Sequence, residues 1–367
     1  MYLKSFSHQG IRNLASGKFE LSPALNIVYG ENGAGKSSLL EAICLLTSGR
    51  SFRTNKLDLV TNEEATQFIV FGQNEEQGRF GLNYQKKSKT KLIKIDGEKA
   101  KALSSLSRIY PTQVICPESY HLIDSGPSER RKYLDWCLFH VKHQYHSEWK
   151  QYSANLKQRN ALLRRSSKPD LEQLEIWDKL LCDSANKVNQ EREALLLQLE
   201  QTVLATIAQL NIEFCDSLTM RYYPGHSGDL AEKLRGNYQS DTDSGFTKFG
   251  PHKADIRLKV NGYLAKDYLS RGQKKILINA LLLAQTNFLK TQTNKDSLFI
   301  IDDFSSELDQ NNQRELLSML IAQNNVQIIL SCLQLDSLKW LEKGYNNAHM
   351  FHVKHGNVTP IKSSETY

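Results

Sequence analysis

A chain of 367 residues, 40% apolar and 24% charged, is long enough for two domains or one large α/β head with an insertion, and its composition is globular rather than disordered. No apolar run approaches the ~18–20 residues that cross a bilayer, and the opening MYLKSFSHQGIRNL is too polar for a secretory h-region. Six scattered cysteines without a C-x-x-C pair argue against a zinc site or a disulfide framework and fit a reducing cytoplasm, while a net charge of +7 favours an anionic partner.

In chain order, residues 1–29 alternate apolar and polar positions between glycine and proline punctuation, which predicts strands. "ATQFIVFGQ" and "GRFGLNYQKKSKTKLIKIDGEKAKAL" continue the pattern, with Ile95-Asp96-Gly97-Glu98 as a hairpin turn between two basic arms. "PTQVICPESY" reads as a short strand entering a polar loop. From Pro127 the period becomes helical. "SERRKYLDWCLFHV" has Ser128 as its expected N-cap, and two long helices follow with a break over 166–170. Leu174, Trp177, Leu181, Val188 and Leu195 form an apolar stripe, which predicts antiparallel helix packing. Strands return at "PHKADIRLKV", then a helix from Lys274 to Lys290, a buried strand "SLFIIDD", a helix from Gln310 and a last apolar strand "VQIILS". These changes of period divide the chain into a head segment 1–125, a helical arm 126–235 and a second head segment 236–367.

The chemistry concentrates in "YGENGAGKSSLLEAICLL". Gly30, Glu31, Asn32, Gly33, Ala34, Gly35, Lys36, Ser37 and Ser38 make a P-loop. An apolar strand precedes it and a helix with Leu39, Leu40, Ile43 and Leu46 inward follows it. The glycines let backbone N–H groups curl around phosphate oxygens, and the helix N-terminus adds partial positive charge. Lys36 is placed to reach the β- and γ-phosphates of ATP, and Ser37 to ligate Mg²⁺.

In "LFIIDDFSSELDQNN" an apolar strand ends at Asp302 and Asp303. Asp302 suits a metal, directly or through water, and Asp303 stands where a carboxylate polarises the attacking water. Ser270, Gly272 and Gln273 in "LSRGQKK" form a Ser-x-Gly-Gln turn that opens a helix. Such a turn offers a hydroxyl and a helix N-terminus to a γ-phosphate. Lys36 and Asp302 already belong to one phosphate site with its own helix, so the expected ligand of Ser270 is ATP on a second copy. Ser306, Glu307, Leu308 and Asp309 match a D-loop crossing that interface. The predicted class is α/β, an SMC-like ABC-type P-loop ATPase head with an inserted helical arm.

From "GENGAGKSSLLEAI", "GRSFRT", "PESYHLIDSGPSERRKYLDW", "LKQRNALLR", "GPHKADI", "LSRGQKK" and "IIDDFSSELD", the chain resembles the bacterial RecF family of DNA replication and repair proteins from end to end. The resemblance implies an ATP-driven homodimer that binds single-stranded or gapped DNA and helps load recombinase. It also implies action with RecO and RecR, and support of replication restart and SOS induction. The arm is too short for a chromosome-tethering coiled coil. A transporter-type ATPase has a much shorter interval between P-loop and signature turn, whereas an SMC-like clamp with negligible turnover stays open. By position, Arg12 in "GIRNL" either touches phosphate or is a solvated strand-end arginine. Gln113 is either a Q-loop residue sensing magnesium or a half-buried strand residue. After "VQIIL" comes Ser331-Cys332-Leu333 with no switch histidine, which, with Asp303 in place of glutamate, implies slow, DNA-stimulated hydrolysis.

For DNA, the densest run is "QKKSKTKLIKIDGEKAK". Lys87, Lys89 and Lys91 are expected on one strand face, pointing at phosphates. A solvated edge strand kept from aggregating by its lysines is the competing reading. No base-reading motif accompanies them, so sequence-specific recognition is not expected.

Overall fold

A computed structural model describes residues 2–165, 170–209, 214, 217–304, 310–323, 326–335, 338, 340 and 348–361. The chain divides into two units, one of residues 1–119 with 294–367 and one of residues 120–293.

The first unit is built on two six-stranded sheets. One is antiparallel, in the order β2 (Gly17–Glu20), β1 (Leu3–Gln9), β4 (Gln67–Asn74), β5 (Arg79–Gln85), β6 (Thr90–Ile95) and β7 (Glu98–Ala100). Its strands alternate buried and exposed positions, as expected of a sheet with one face on the core: Phe68, Val70, Phe80, Leu82 and Tyr84 turn inward.

The other sheet runs β15 (Asn357–Ile361), β14 (His349–Lys354), β3 (Leu25–Tyr29), β13 (Val326–Cys332), β12 (Ser297–Ile301) and β8 (Thr112–Ile115). All neighbours in it are parallel except β14 and β15. Every residue of β12 and β13 is buried, which is why "SLFII" and "VQIILSC" read as unbroken runs rather than alternating ones. The helix Lys36–Ser48 buries eleven of its thirteen residues. Its Leu39, Leu40 and Ile43 share one core with Phe68 and Phe80 of the antiparallel sheet and Leu298, Ile300 and Ile329 of the parallel one. A helix buried on nearly all sides needs such an enclosed place, and its buried polar residues need partners there. It stops at Gly49, whose φ of 70° is left-handed and whose N–H returns to the Leu45 carbonyl at 2.9 Å.

The second unit holds the helices Pro127–Val141, Tyr145–Arg165, Leu171–Gln209 and Arg271–Thr293 with a three-stranded sheet, β11 (Tyr263–Leu264), β10 (Asp255–Val260) and β9 (Leu218–Tyr223). Its buried arginines cross-link distant segments. Arg159, fully buried, reaches Asp178 at 2.5 Å and Asp241 at 2.7 Å. Arg192, equally buried, grips both oxygens of Asp135 at 2.8 and 2.9 Å and donates to the Pro251 carbonyl at 2.8 Å.

Three expectations are corrected here. Ser128 is not the cap of its helix: Gly126 is, with Pro127 at the first position, where its missing N–H costs nothing. The unit boundaries fall at 119/120 and 293/294 rather than at 125/126 and 235/236. Residues 236–293 pack with the helices instead: Arg130 pairs with Asp255 at 2.7 Å and Tyr133 Oη donates to the Leu281 carbonyl at 3.0 Å. The signature turn therefore belongs to the helical unit. The third correction concerns the basic hairpin. Lys86–Lys89 form the turn between β5 and β6, and Lys89 has φ of 53°. Strand alternation does not reach across a turn, so Lys87, Lys89 and Lys91 do not share a strand face. The D-loop stretch 306–309 lies outside the described residues.

Candidate nucleotide-binding site

The P-loop joins β3 to the helix Lys36–Ser48, and its glycines are demanded by the backbone. Gly30, Gly33 and Gly35 have φ of 151°, 78° and 117°, conformations that L side chains rarely adopt. Space excludes a side chain as well: a Cβ on Gly30 would fall 2.2 Å from the Val353 carbonyl oxygen, and one on Gly35 2.9 Å from Leu14 Cδ2. Lys36, largely buried, donates from Nζ to the carbonyls of Gly30 at 2.7 Å and Glu31 at 3.0 Å. Its ammonium is thus held inside the loop rather than out in solvent.

Across the parallel sheet, β12 ends beside β3's neighbour β13, which brings Asp302 to the loop. Ser37 Oγ donates to Asp302 Oδ1 at 2.9 Å, and Ser331 Oγ donates to the same oxygen at 2.8 Å. Ser331 Oγ also accepts the Asp303 N–H at 2.8 Å. Burial pushes the Asp302 carboxyl above its ordinary range, against the pull of the Ser331 and Ser37 hydroxyls. Asp303 has φ of 55°, a left-handed backbone that is sparsely populated outside glycine and tends to be kept at functional sites. Ser331 is thus a site residue that sequence reading treated only as a missing histidine. It is the polar end of a buried apolar strand, and that was its signal.

The opposite wall is basic. Arg12 donates to both oxygens of the fully buried Glu41, at 2.5 and 2.9 Å. Ser51 Oγ donates to Glu41 at 2.5 Å, and Arg53 Nη1 stands 3.7 Å from it. Arg12 has φ of 40°, and the backbone fixes it: its N–H donates to the Val60 carbonyl at 2.8 Å and its carbonyl accepts from Asn62 Nδ2. Glu41 and Arg53 were not anticipated as part of the site. Glu41 lies one helical turn beyond Ser37, on the same face of the helix.

These walls enclose a cavity of about 370 Å³ lined by, among others, Arg12, Lys36, Ser37, Arg53, Asp302 and Asp303. Asn32, Gly33, Gly35 and Ser38 line it too; Gln113 does not. Gln113 is buried within β8, in register with Phe299 two positions before the strand ends, and Pro117 fills the rim beyond it. The residues fit a magnesium nucleotide. Arg12, Lys36 and Arg53 line the cavity together with the glycine loop and the start of the helix Lys36–Ser48. The hydroxyl of Ser37 and carboxylate of Asp302 converge as hard oxygen donors, the pair Mg²⁺ takes when phosphates complete its shell. Among the described residues no cluster of three His, Cys, Asp or Glu side chains offers a self-sufficient metal cage.

Ser270 caps the helix Arg271–Thr293, and the cap is reciprocal. Ser270 Oγ accepts the Gln273 N–H at 3.3 Å, while Gln273 Oε1 accepts the Ser270 N–H at 3.0 Å. This is a capping box with glutamine at its third position. Ser270, Arg271 and Gly272 are exposed.

A P-loop on the parallel sheet, a strand-end Asp pair and an antiparallel sheet over the same helix define an ABC-type ATPase head of the SMC kind. The sequence matches the RecF/RecN/SMC N terminal domain family over residues 2–359. It is 39% identical over 357 residues to the DNA replication and repair protein RecF of Psychromonas ingrahamii, covering 96% of this chain and 97% of that protein. A solved structure of the recombination mediator protein RecF–ATP of the RecFOR pathway aligns with a TM-score of 0.85 at 27% identity, covering 98% of this chain and 97% of that one. An SMC head bound to the C-winged helix domain of ScpA aligns at a TM-score of 0.58 and 14% identity, covering 100% and 99%, a likeness of fold. The chain belongs to the RecF family of DNA replication and repair proteins.

Proposed function

We infer that the chain is an ATP-dependent recombination mediator of DNA repair and replication restart, acting in the cytoplasm. The convergence of Lys36, Ser37, Asp302 and Asp303 on one cavity carries this reading. Lys36 and the loop amides hold the β- and γ-phosphates, Ser37 and Asp302 hold Mg²⁺, and Arg12 and Arg53 face the phosphates from the other wall. Asp303 takes a proton from water as the water oxygen bonds the γ-phosphorus and the bond to ADP breaks. With aspartate in this role and Ser331 at the switch position, turnover is slow, a timer rather than a motor. A second copy completes the site through Ser270, Gly272 and Gln273, so that ATP drives a homodimer. The dimer binds single-stranded or gapped DNA without regard to sequence, with Lys87, Lys89 and Lys91 among the cations available to it. RecO and RecR are its expected partners in loading recombinase and supporting SOS induction.

The composite site is tested by Ser270→Arg. Its monomer should bind ATP nearly normally, but light scattering should show no ATP-dependent dimer, and hydrolysis should stop. Mixing it with Lys36→Met should restore part of the activity, because one composite site in the mixed dimer then carries neither lesion. Loss of monomer ATP binding in Ser270→Arg would place the turn in cis, and normal dimerisation with normal turnover would reduce it to a helix cap.

A further inference from the structure

The outer face of the antiparallel sheet carries an arrangement that the nucleotide site does not use. Cross-strand register places one residue from each of the six strands in a single row: Lys18, Ser7, Phe71, Gly81, Lys94 and Lys99. Lys18, Lys94 and Lys99 are exposed, and so is Phe71, at 39%. With strands about 4.8 Å apart, Lys18 and Lys94 stand about 19 Å from each other, one on each side of the aromatic ring.

The middle of the row is hollow because Gly81 has no side chain. The Phe71 ring leans over the gap, so that a Cβ on Gly81 would stand 3.4 Å from its Cδ2. In the adjacent row Leu92 is opposite Asn83, and with Phe71 and Lys94 they border a hollow of about 610 Å³. Leu92 is 37% exposed. Glu20, opposite Ser5 on the edge strand, brings a carboxylate to this face at its Lys18 end. Asp96 lines the hollow as well, with Oδ1 accepting the Arg79 N–H at 2.8 Å.

Lysines on either side of an exposed ring, with a vacant floor between them and the Asn83 amide in the next row, suit a polymer of alternating anions and flat bases. Cations that track a backbone and an aromatic that stacks bases are what a sequence-indifferent single-strand surface requires. A duplex keeps its bases inside and has no use for the hollow. Lys91 is poorly placed by comparison. It lies opposite Tyr84, on the alternation that carries Ile93 and Leu82 into the core.

We propose that this outer sheet face seats single-stranded nucleic acid, with Lys18, Lys94 and Lys99 taking phosphates and a base lying on Phe71 over Gly81. The proposal rests on the DNA-binding reading of the chain and moves its contacts from the hairpin turn to the sheet. The test is fluorescence anisotropy of the full chain with ATP, using fluorescein-labelled oligo-dT and a duplex of equal length across a salt series. Phe71→Ser should weaken oligo-dT binding by about five- to 150-fold, the range for losing one stacked base. It should leave the duplex unchanged, and Phe71→Tyr should retain affinity. Lys18→Gln, Lys94→Gln and Lys99→Gln combined should lower the slope of log K against log salt on oligo-dT by about 2, at roughly 0.7 per phosphate contact. Failure of the unaltered chain to bind either DNA overturns the DNA reading and this proposal together. Normal binding by the unaltered chain and by both sets of variants overturns this proposal alone. So does loss confined to a Lys87→Gln, Lys89→Gln variant, which would return the contacts to the turn.

Discussion

Arg159 and Arg192 in the helical unit and Arg12 and Lys36 in the head unit are all cations drawn into the protein, but they answer to different partners. In the helical unit each guanidinium ends on carboxylates far away in sequence, Asp178 and Asp241 for one and Asp135 for the other. Those bonds tie the long helices to one another and to the short helix Tyr238–Ser244, and both guanidiniums are fully buried. In the head unit Arg12 is paired too, with both oxygens of Glu41, yet it lines a cavity; Lys36 lines the same cavity and is held by neutral carbonyls, a partner weaker than the phosphate charge it can take. Buried charge paired within the chain is architecture. A cation left to neutral carbonyls at a cavity wall is a binding site.

The sharpest way to break that distinction is to remove an architectural cation. Arg159→Met leaves the fully buried Asp241 and the mostly buried Asp178 without their countercharge. It should cost about 3–5 kcal/mol of stability, the usual penalty for orphaning one partner of a buried ion pair. Tryptophan fluorescence in urea reports it well, since Trp136, Trp149 and Trp177 lie in this unit. A loss below about 1 kcal/mol, typical of exposed pairs, would show that the network is decorative.

A smaller effect comes from two buried histidines, one in each unit. Burial lowers His8 and His252 from 6.5 to about 4. Between those pH values the unfolded chain holds a proton that the folded chain refuses. Their stabilising contribution is therefore whole above about pH 6.5 and is lost as pH falls toward 4, by at most about 1.4 kcal/mol per pH unit for each imidazole. His252 is satisfied as a neutral ring, bonded to Tyr152 Oη at 2.6 Å and to the Thr247 carbonyl at 2.9 Å. His8 instead has no hydrogen-bond partner and stacks with Phe19 at 5.8 Å. His8→Phe should remove about half of the acid sensitivity measured from urea midpoints at pH 7 and pH 5. An unchanged slope would place the acid sensitivity elsewhere.

The smallest effect on folding should come from the residue with the largest effect on function. Lys36→Met should abolish ATP binding by calorimetry while costing about 1 kcal/mol of stability, on the order of the net worth of the carbonyl hydrogen bonds it gives up. A large drop in stability would make Lys36 an architectural cation after all.

The nucleotide site was legible because its signals are local. A glycine loop between a strand and a helix, and an apolar strand ending in two carboxylates, each fix their own geometry. What connects them was less so. Ser331 reaches Asp302 only because β13 lies between β3 and β12, an order that no single segment encodes. Glu41 looked like one more residue of an amphipathic helix until the second sheet covered the far side and forced its charge onto Arg12. The hairpin misled through periodicity: alternation was carried through Lys86–Lys89, where the chain reverses. The unit boundary was misplaced because β10 and β11 look like head strands, and their allegiance to the helices depends on long-range pairs such as Arg130 with Asp255.

The capping box at Ser270 has a consequence for how two copies recognise each other. In the cap the Ser270 oxygen accepts the Gln273 N–H and the Gln273 side chain accepts the Ser270 N–H, so the serine O–H stays available to donate to an incoming γ-phosphate without the cap opening. The turn is therefore a preformed socket whose serine is already held in place, and the encounter bears little further ordering cost. In the proposed dimer only a nucleotide supplies the acceptor that this socket awaits. The pair then registers the presence of ATP rather than the mere crowding of its own copies.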